Sequence, residues 1–378
     1  MKTIKDYLLA VSLLAGAITG AGMFSLPFVF KQAGLSAGFF YMSIVALIYV
    51  FIHLMYADVI VRTKESHRFV GYAKTYLGSK MFWPAVLMTV VEMIFVLAIY
   101  LVLSQSFAGL FYPAGDSLSN LLIFWLLGSA AIFLSLKRMA LLEFLITGGM
   151  ALIIVVIFYL SLSNWGDISM VSWQPNLPNI LLPLAPILFA LAGRMAIPSL
   201  VEFSRSRGRS KLFIKRSIIW GTLLPVLIYV LFVASIIALS LNISPDAVSG
   251  LVGNVPVVIL SVIGVIGLLS LFSSYILAGL NVADIMRHDL IMPRWLRTAL
   301  VVGGPLFLYL IGFQSFIGLV GLVGGVFLVF EGTFIVLMWL KANKTLAEPP
   351  QLLKPIGWLM KSALFLVFAV ALVYEIIK

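Results

Sequence analysis

The chain contains no cysteine, which excludes disulfides and thiolate metal sites and leaves its redox compartment unread. Its three histidines (His53, His67, His288) are far apart in sequence and lack ligand spacing. Charge is equally scarce. Only 10% of the 378 residues are Asp, Glu, Lys or Arg, and 62% are hydrophobic. A soluble domain carries about 25% charged residues to coat its core. A lipid solvent removes the need for that coat, and the mean hydropathy of +1.15 agrees. The net charge of +11 is not the footprint of a nucleic-acid binder, because the basic residues form no single patch. They recur in short clusters between apolar runs, the membrane pattern.

The N-terminus carries Lys2 and Lys5 before an apolar run. That run continues through Phe30, longer than the roughly 7–15 residues of a signal-peptide core, so it reads as a first membrane helix. A spanning helix needs about 20 mostly apolar residues. Eleven runs qualify: 6–33, 36–61, 83–111, 117–136, 139–163, 180–203, 215–240, 255–283, 297–311, 313–340 and 357–376. The ninth is short and interrupted by Gly303, Gly304 and Pro305. With the N-terminus inside, 22 of the 25 Lys and Arg fall in cytoplasmic segments. These include Lys137, Arg138 and the cluster Arg205, Arg207, Arg209, Lys211, Lys215 and Arg216. The exceptions are Lys31, Arg194 and Lys378. Such a bias sets topology, giving an inner-membrane protein with its N-terminus cytoplasmic and its C-terminus outside. Seven of the eight tryptophans sit near proposed span ends, as an interfacial belt would; Trp125 alone lies mid-span.

The first span should not be a continuous helix. Gly16, Gly20 and Gly22 fall within seven residues, and Pro27 follows. Each glycine costs a helix about 1 kcal/mol relative to alanine, and proline removes a backbone donor. Non-helical backbone at membrane depth survives only against protein or a water-filled cavity. The sixth span repeats the device. Gly193 and Pro198 have the spacing of Gly22 and Pro27, 171 residues later. Five spans separate the two segments, so they run in opposite directions. Two inverted five-helix halves follow, residues 1–163 and 180–340, with an additional C-terminal helix at 357–376. Paired Gly/Pro interruptions of this kind point to a transporter's central site. A half-helix beginning near Gly22 directs free N–H groups at a carboxylate. One ending near Ala192 directs carbonyls at an ammonium or cation. Together they fit an α-amino acid zwitterion. The structural alternative is that the glycines only allow close packing and the prolines only kink.

The segment Ile18–Gly34, ITGAGMFSLPFVFKQAG, resembles the first helix of the amino acid/auxin permeases and of the bacterial hydroxy- and aromatic-amino-acid permeases. Both belong to the amino acid–polyamine–organocation superfamily. Gly71–Gly78 (GYAKTYLG), Pro198–Phe203 (PSLVEF) and Phe272–Asp284 (FSSYILAGLNVAD) are similar to later segments of the same families. The resemblance runs over the first eight spans. It implies an all-α polytopic membrane protein of leucine-transporter-like fold, a 5+5 inverted repeat with broken helices 1 and 6 and an eleventh transmembrane helix. It implies that the backbone of Thr19, Gly20, Ala21, Gly22 and Met23 holds a substrate carboxylate, with Phe189, Ala190 and Ala192 around the rest of the substrate. It also implies that Ser273 and Ser274 complete a sodium site with carbonyls near Gly16 and Thr19. The sequence departs at Arg194, where the aromatic permeases tend to carry histidine.

Ionisable groups at membrane depth are functional by default. Arg194 lies at the expected sixth-span break and would contact a substrate carboxylate or pair with an acid. Glu92 and Glu331 lie near mid-depth and could each carry a coupling proton. Asp58, Glu143, Glu202 and Asp284 sit near inner ends, as interfacial charges or a cytoplasmic gate. Ser270, Ser273 and Ser274 cluster on the eighth span, and their alternative role is interhelical hydrogen bonding. The coupling ion, Na+ or H+, stays open, and no other cofactor is implied. The reading is a cation-coupled symporter importing neutral, aromatic or hydroxy amino acids by alternating access, its partners being the small-molecule substrate and the bilayer. The alternatives are a membrane sensor that binds an amino acid without net flux, and a membrane-embedded enzyme. The latter lacks any metal-ligand spacing or nucleophile pair.

Overall fold

The computed structural model describes residues 2–65, 67–133, 151–165, 171–240, 242–288 and 290–378. Lys137, Arg138 and Glu143 lie outside these residues, as do parts of the fourth and fifth expected spans. The described residues contain helices and no strand, apart from an isolated bridge between Val252 and Val255.

Helices occupy the expected spans. Six are long and apolar enough to cross a bilayer: Leu35–Arg62, Ser79–Phe111, Lys211–Leu239, Val257–Arg287, Phe316–Thr345 and Trp358–Ile377. A seventh crossing is the first span, Thr3–Ile18 and Ala21–Ala33, bent by 50° between its halves. The apolar helices Ser117–Phe133 and Ala151–Trp165 belong to the fourth and fifth spans. The sixth is split into Leu184–Ala190 and Ala196–Ser206. The ninth runs through Arg294–Thr298, a π-helical turn Ala299–Gly303 and Gly304–Leu310. Its Gly-Gly-Pro sequence therefore widens the helix rather than ending it. Trp125 answers the change, donating its indole N–H to the Val302 carbonyl at 2.8 Å. This is the work of the one tryptophan that is not near a span end.

The spans pack as two groups. The first, second, sixth and seventh contact one another, and the third, fourth, eighth and ninth do likewise. Glycines set the closest approaches. A Cβ on Gly264 would lie 2.8 Å from the Phe107 carbonyl, so only glycine lets the eighth span meet the third this closely. A Cβ on Gly221 would lie 2.9 Å from Leu14 Cβ, where the seventh meets the first. At the outer turn between the first two spans, Gly34 has φ +89° and touches the Gln174 backbone. The segment after the fifth span is strapped there by Leu35 N–H to Ser172 O (3.2 Å) and Asn176 N–H to Ala33 O (2.8 Å).

One end of the bundle is tied by charge. Arg207 and Arg209 both bind Asp6 in the first span, and Arg205 donates to the Ile60 and Val61 carbonyls at 3.2 and 2.8 Å. The basic loop thus caps the second span and anchors the first. Deeper in, Asp58 and Arg62 form a buried ion pair at 3.2 Å. Asp58 also accepts from Trp339 Nε1 (3.0 Å) and from the amides of Gln351 (2.7 Å) and Leu352 (2.8 Å). Arg62 reaches Asn343 and the Ala342 and Glu348 carbonyls. Trp339, expected as an interfacial anchor, is fully buried, because its indole serves this network. Asp284 pairs with Arg68 at 3.5 Å in a half-exposed bridge, and Glu202 is exposed.

Removing one partner of a buried pair leaves the other uncompensated, at roughly 3–5 kcal/mol. Asp58→Ala should therefore lower the thermal unfolding midpoint of the detergent-purified protein by several degrees, and Asp58→Asn by less. An unchanged midpoint for Asp58→Ala would show that the network contributes nothing to stability.

Candidate functional site

Both expected breaks exist, and they touch. The first span leaves helical geometry after Ile18, passes Thr19 and an extended Gly20 (φ −152°, ψ −157°), and resumes as a 3-10 turn over Ala21–Ser25. Ser25 donates to the Gly22 carbonyl at 2.7 Å, and Pro27 sits in the first turn of Leu26–Ala33, where a missing N–H costs little. The first half of the sixth span ends at Ala190, two residues earlier than expected. Leu191–Met195 is non-helical before the chain resumes at Ala196. The shift arises because helical turns close up to Leu191 (N–H to Ile187 O, 3.1 Å), before Gly193 is reached.

The two breaks interlock through their glycines. A Cβ on Gly22 would lie 2.6 Å from the Ala190 Cα and 3.0 Å from its nitrogen. Conversely, a Cβ on Gly193 would lie 2.6 Å from Ile18 Cγ1. Each glycine thus receives the other break. The shared Gly/Pro spacing serves one seam, packed face to face.

Tyrosines occupy the backbone acceptors, a feature that spacing could not reveal. Tyr229 of the seventh span donates toward Ile18 O at 2.7 Å and Ala190 O at 3.0 Å. Thr19 and Gly20 lie next to this hydroxyl. Tyr49 of the second span donates to Leu188 O at 2.7 Å. Two of the carbonyls that close the sixth-span half-helix therefore already have donors. Around this seam Thr19, Gly20, Phe189 and Ala192 keep accessible surface at mid-membrane depth, while Ala21, Gly22, Met23 and Ala190 are buried. Phe24 is wholly buried, edge-on to Phe107 and Phe232 at 5.0 and 5.6 Å, and so belongs to the core rather than to an accessible wall.

The charges converge beside the seam. Arg194, within the sixth-span break, pairs with Glu331 of the tenth span, and both are 8% exposed. The guanidinium also lies 4.3 Å from the centre of the Phe69 ring, which the short helix Phe69–Leu77 presents. Glu92 of the third span is buried and lies beside the Arg194–Glu331 pair. Residues from four separate segments thus form one cluster. The cluster therefore sets two buried carboxyl groups against one arginine charge.

The eighth-span hydroxyls are less gathered. Ser274 lies near Tyr100 of the third span. Ser273 is buried and Ser270 partly so. Among the described residues no hydrogen bond joins Ser270 or Ser273 to Gly16 or Thr19. Among the described residues there is also no cluster of three or more His, Asp or Glu that could hold a metal.

Gly22→Val should abolish substrate uptake in cells while leaving the protein inserted and expressed, because the added side chain would force the first break off Ala190. Scintillation counting of labelled amino acid, with immunoblotting of membranes, checks both halves. Normal uptake by the variant would show that the Gly22–Ala190 contact is dispensable.

Solved structures share this architecture. The manganese transporter of Eremococcus coleocola aligns over 100% of this chain and 86% of its own, at 13% identity and TM-score 0.65. The inward-facing form of Mhp1, a nucleobase-cation-symport-1 family transporter, aligns over 98% and 89%, at 13% identity and TM-score 0.66. MhsT in complex with L-phenylalanine aligns over 98% and 97%, at 15% identity and TM-score 0.63. These likenesses give the fold, the leucine-transporter-like 5+5 inverted repeat with broken helices 1 and 6. No curated protein matches the sequence. The sequence does match the tryptophan/tyrosine permease family over residues 3–377, nearly its whole length, and the chain belongs to that family of transporters.

Proposed function

We propose that the protein imports an aromatic amino acid together with a proton by alternating access. Membership of the tryptophan/tyrosine permease family makes it a multi-pass membrane transporter of aromatic amino acids rather than an enzyme. The coupling ion, the direction and the site residues are our reading. The observation that carries it is the cluster at the sixth-span break, where two buried carboxyl groups, Glu92 and Glu331, face the single arginine Arg194.

In this reading the first-turn amides of Ala21, Gly22 and Met23, with Thr19 and Gly20, receive the substrate carboxylate. The positive end of the resumed half-helix favours it there. Phe189, Ala190 and Ala192 flank the ammonium and the ring. A neutral zwitterion brings no net charge, so its accumulation needs an ion that moves with it. Binding next to Arg194 competes with Glu331 for the guanidinium. A weakened Arg194–Glu331 pair makes the carboxyl pair bind a proton more tightly, and release of substrate reverses the bias. That is reciprocal coupling between two ligands, as thermodynamic linkage requires.

Residues 1–163 and 180–340 act as the two inverted halves, with 357–376 appended. The N-terminus lies in the cytoplasm and the C-terminus outside. The first and sixth spans move against the third, fourth, eighth and ninth. Arg194, Glu331 and Phe69 then lie on the cytoplasmic side of the seam and keep that side shut.

Uptake into proteoliposomes decides the matter. Labelled tryptophan, tyrosine, phenylalanine and serine are offered with proton and sodium gradients imposed separately. Concentrative uptake of an aromatic amino acid under a proton gradient alone is the expected result. Uptake that follows sodium alone would move coupling to Gly16, Thr19, Ser270, Ser273 and Ser274. Saturable binding with no flux under either gradient would favour the sensor. Glu331→Gln should remove gradient-driven accumulation while leaving tryptophan–tryptophan exchange above background.

A further inference from the structure

We infer that the Tyr229 hydroxyl is a built-in substitute for a cation between the two helix breaks. The inference rests on the transporter fold, not on which ion couples transport. Ile18 and Ala190 are the last helical residues of two half-helices. The carbonyl of each has lost its partner four residues on, because the chain leaves the helix at Gly20 and at Leu191. Each also carries the negative end of a helix dipole. Two such ends aimed at one point repel each other, and strongly so in a buried, low-dielectric place. Carbonyls at broken helices of this kind are suited to coordinating a cation.

Here the point is filled by protein. Tyr229 is fully buried, and its hydroxyl lies 2.7 Å from one carbonyl and 3.0 Å from the other. A phenol has a single proton, so it cannot satisfy both acceptors fully at once. The acceptors are therefore arranged for a centre of higher positive charge than one neutral O–H. Thr19 and Gly20 lie beside this oxygen. The Thr19 hydroxyl can rotate to offer an oxygen in place of its proton. With the phenol gone, the two carbonyl oxygens and the Thr19 hydroxyl remain around the space it filled, and partly accessible Thr19 and Gly20 leave room for water to complete an ion's shell. A tethered hydroxyl cannot dissociate, so nothing is carried across the membrane from this point. Tyr229 is thus a positioning residue that holds the seam and removes one ion from the transport cycle.

The test uses the full-length protein with three substitutions. Tyr229→Phe keeps the ring and deletes the donor. Tyr229→Ser deletes the ring and leaves an oxygen, with room for an ion, and Tyr229→Asn is its alternate if the serine variant does not purify as a single species. Labelled tryptophan uptake is measured in proteoliposomes at one fixed proton gradient, with choline exchanged for sodium or lithium. Thermal unfolding midpoints are measured in the same salts. Orphaning a buried acceptor costs about 1–3 kcal/mol, so Tyr229→Phe should lose about tenfold or more of its uptake in every salt. Tyr229→Ser or Tyr229→Asn should be as poor in choline but recover several-fold in sodium or lithium, with a midpoint that rises with the salt more than the wild-type midpoint does. Wild-type uptake by Tyr229→Phe would overturn the inference. So would a folded serine or asparagine variant whose uptake and midpoint respond to sodium and lithium no more than the wild type's. Because the readout is variant against wild type, a sodium response of the wild type would count against proton coupling and leave this comparison intact.

Discussion

A backbone that stops being helical inside a membrane must find partners for its amides and carbonyls within the protein, because hydrocarbon offers none. In this chain that requirement arises twice, in the first span after Ile18 and in the sixth after Ala190, and the two places meet it together. Gly22 packs on Ala190 and Gly193 on Ile18, so each break shields the other. Tyr229 and Tyr49 supply donors to the exposed carbonyls. The tenth span joins in. Gly324, in its π-helical turn Val323–Phe327, touches the backbone at Ala185 in the same half-helix. The close approach of three interrupted helices is possible only because glycines stand at the contacts.

Charge is then placed where this arrangement can use it. Arg194 lies in the break itself, and its partner Glu331 follows the π-helical turn of the tenth span by four residues. Movement at the seam cannot leave that pair untouched. The ties nearer the Asp6 and Asp58 end of the bundle are of another kind. Asp58 and Arg62 are surrounded by donors and acceptors from Trp339 through Leu352, and they clamp the second span to the tenth. Asp6 with Arg207 and Arg209 clamps the first span to the loop after the sixth. The bridge between Arg68 and Asp284 is half-exposed, and surface pairs of that type are worth little. It links the two groups of spans at a point where they can part cheaply. A tie that parts cheaply between the two groups suits alternating access.

Much of the fold could be read in advance because its signals are local. Twenty apolar residues make a span whatever surrounds them, and lysine and arginine counts need no neighbour to be meaningful. The breaks were legible for the same reason, since glycine and proline act on their own turn of helix. Arg194, Glu92 and Glu331 stood out singly because a charge at membrane depth is costly anywhere. Trp339 was misread as an interfacial anchor because nearness to a span end says nothing about which way an indole points.

The sequence by itself determined the solvent and the two places where helix could not continue, since each depends on residues adjacent in the chain. Only the tertiary structure decided what those places face. Nothing in the sequence around Tyr229 distinguishes it from any tyrosine in an apolar helix, and its two carbonyl partners lie 211 and 39 residues away. Nothing pairs Glu331 with Arg194 before the tenth span is laid against the sixth. Hydrogen bonds and ion pairs act over about 3 Å, and which groups come that close is fixed by the packing of whole helices.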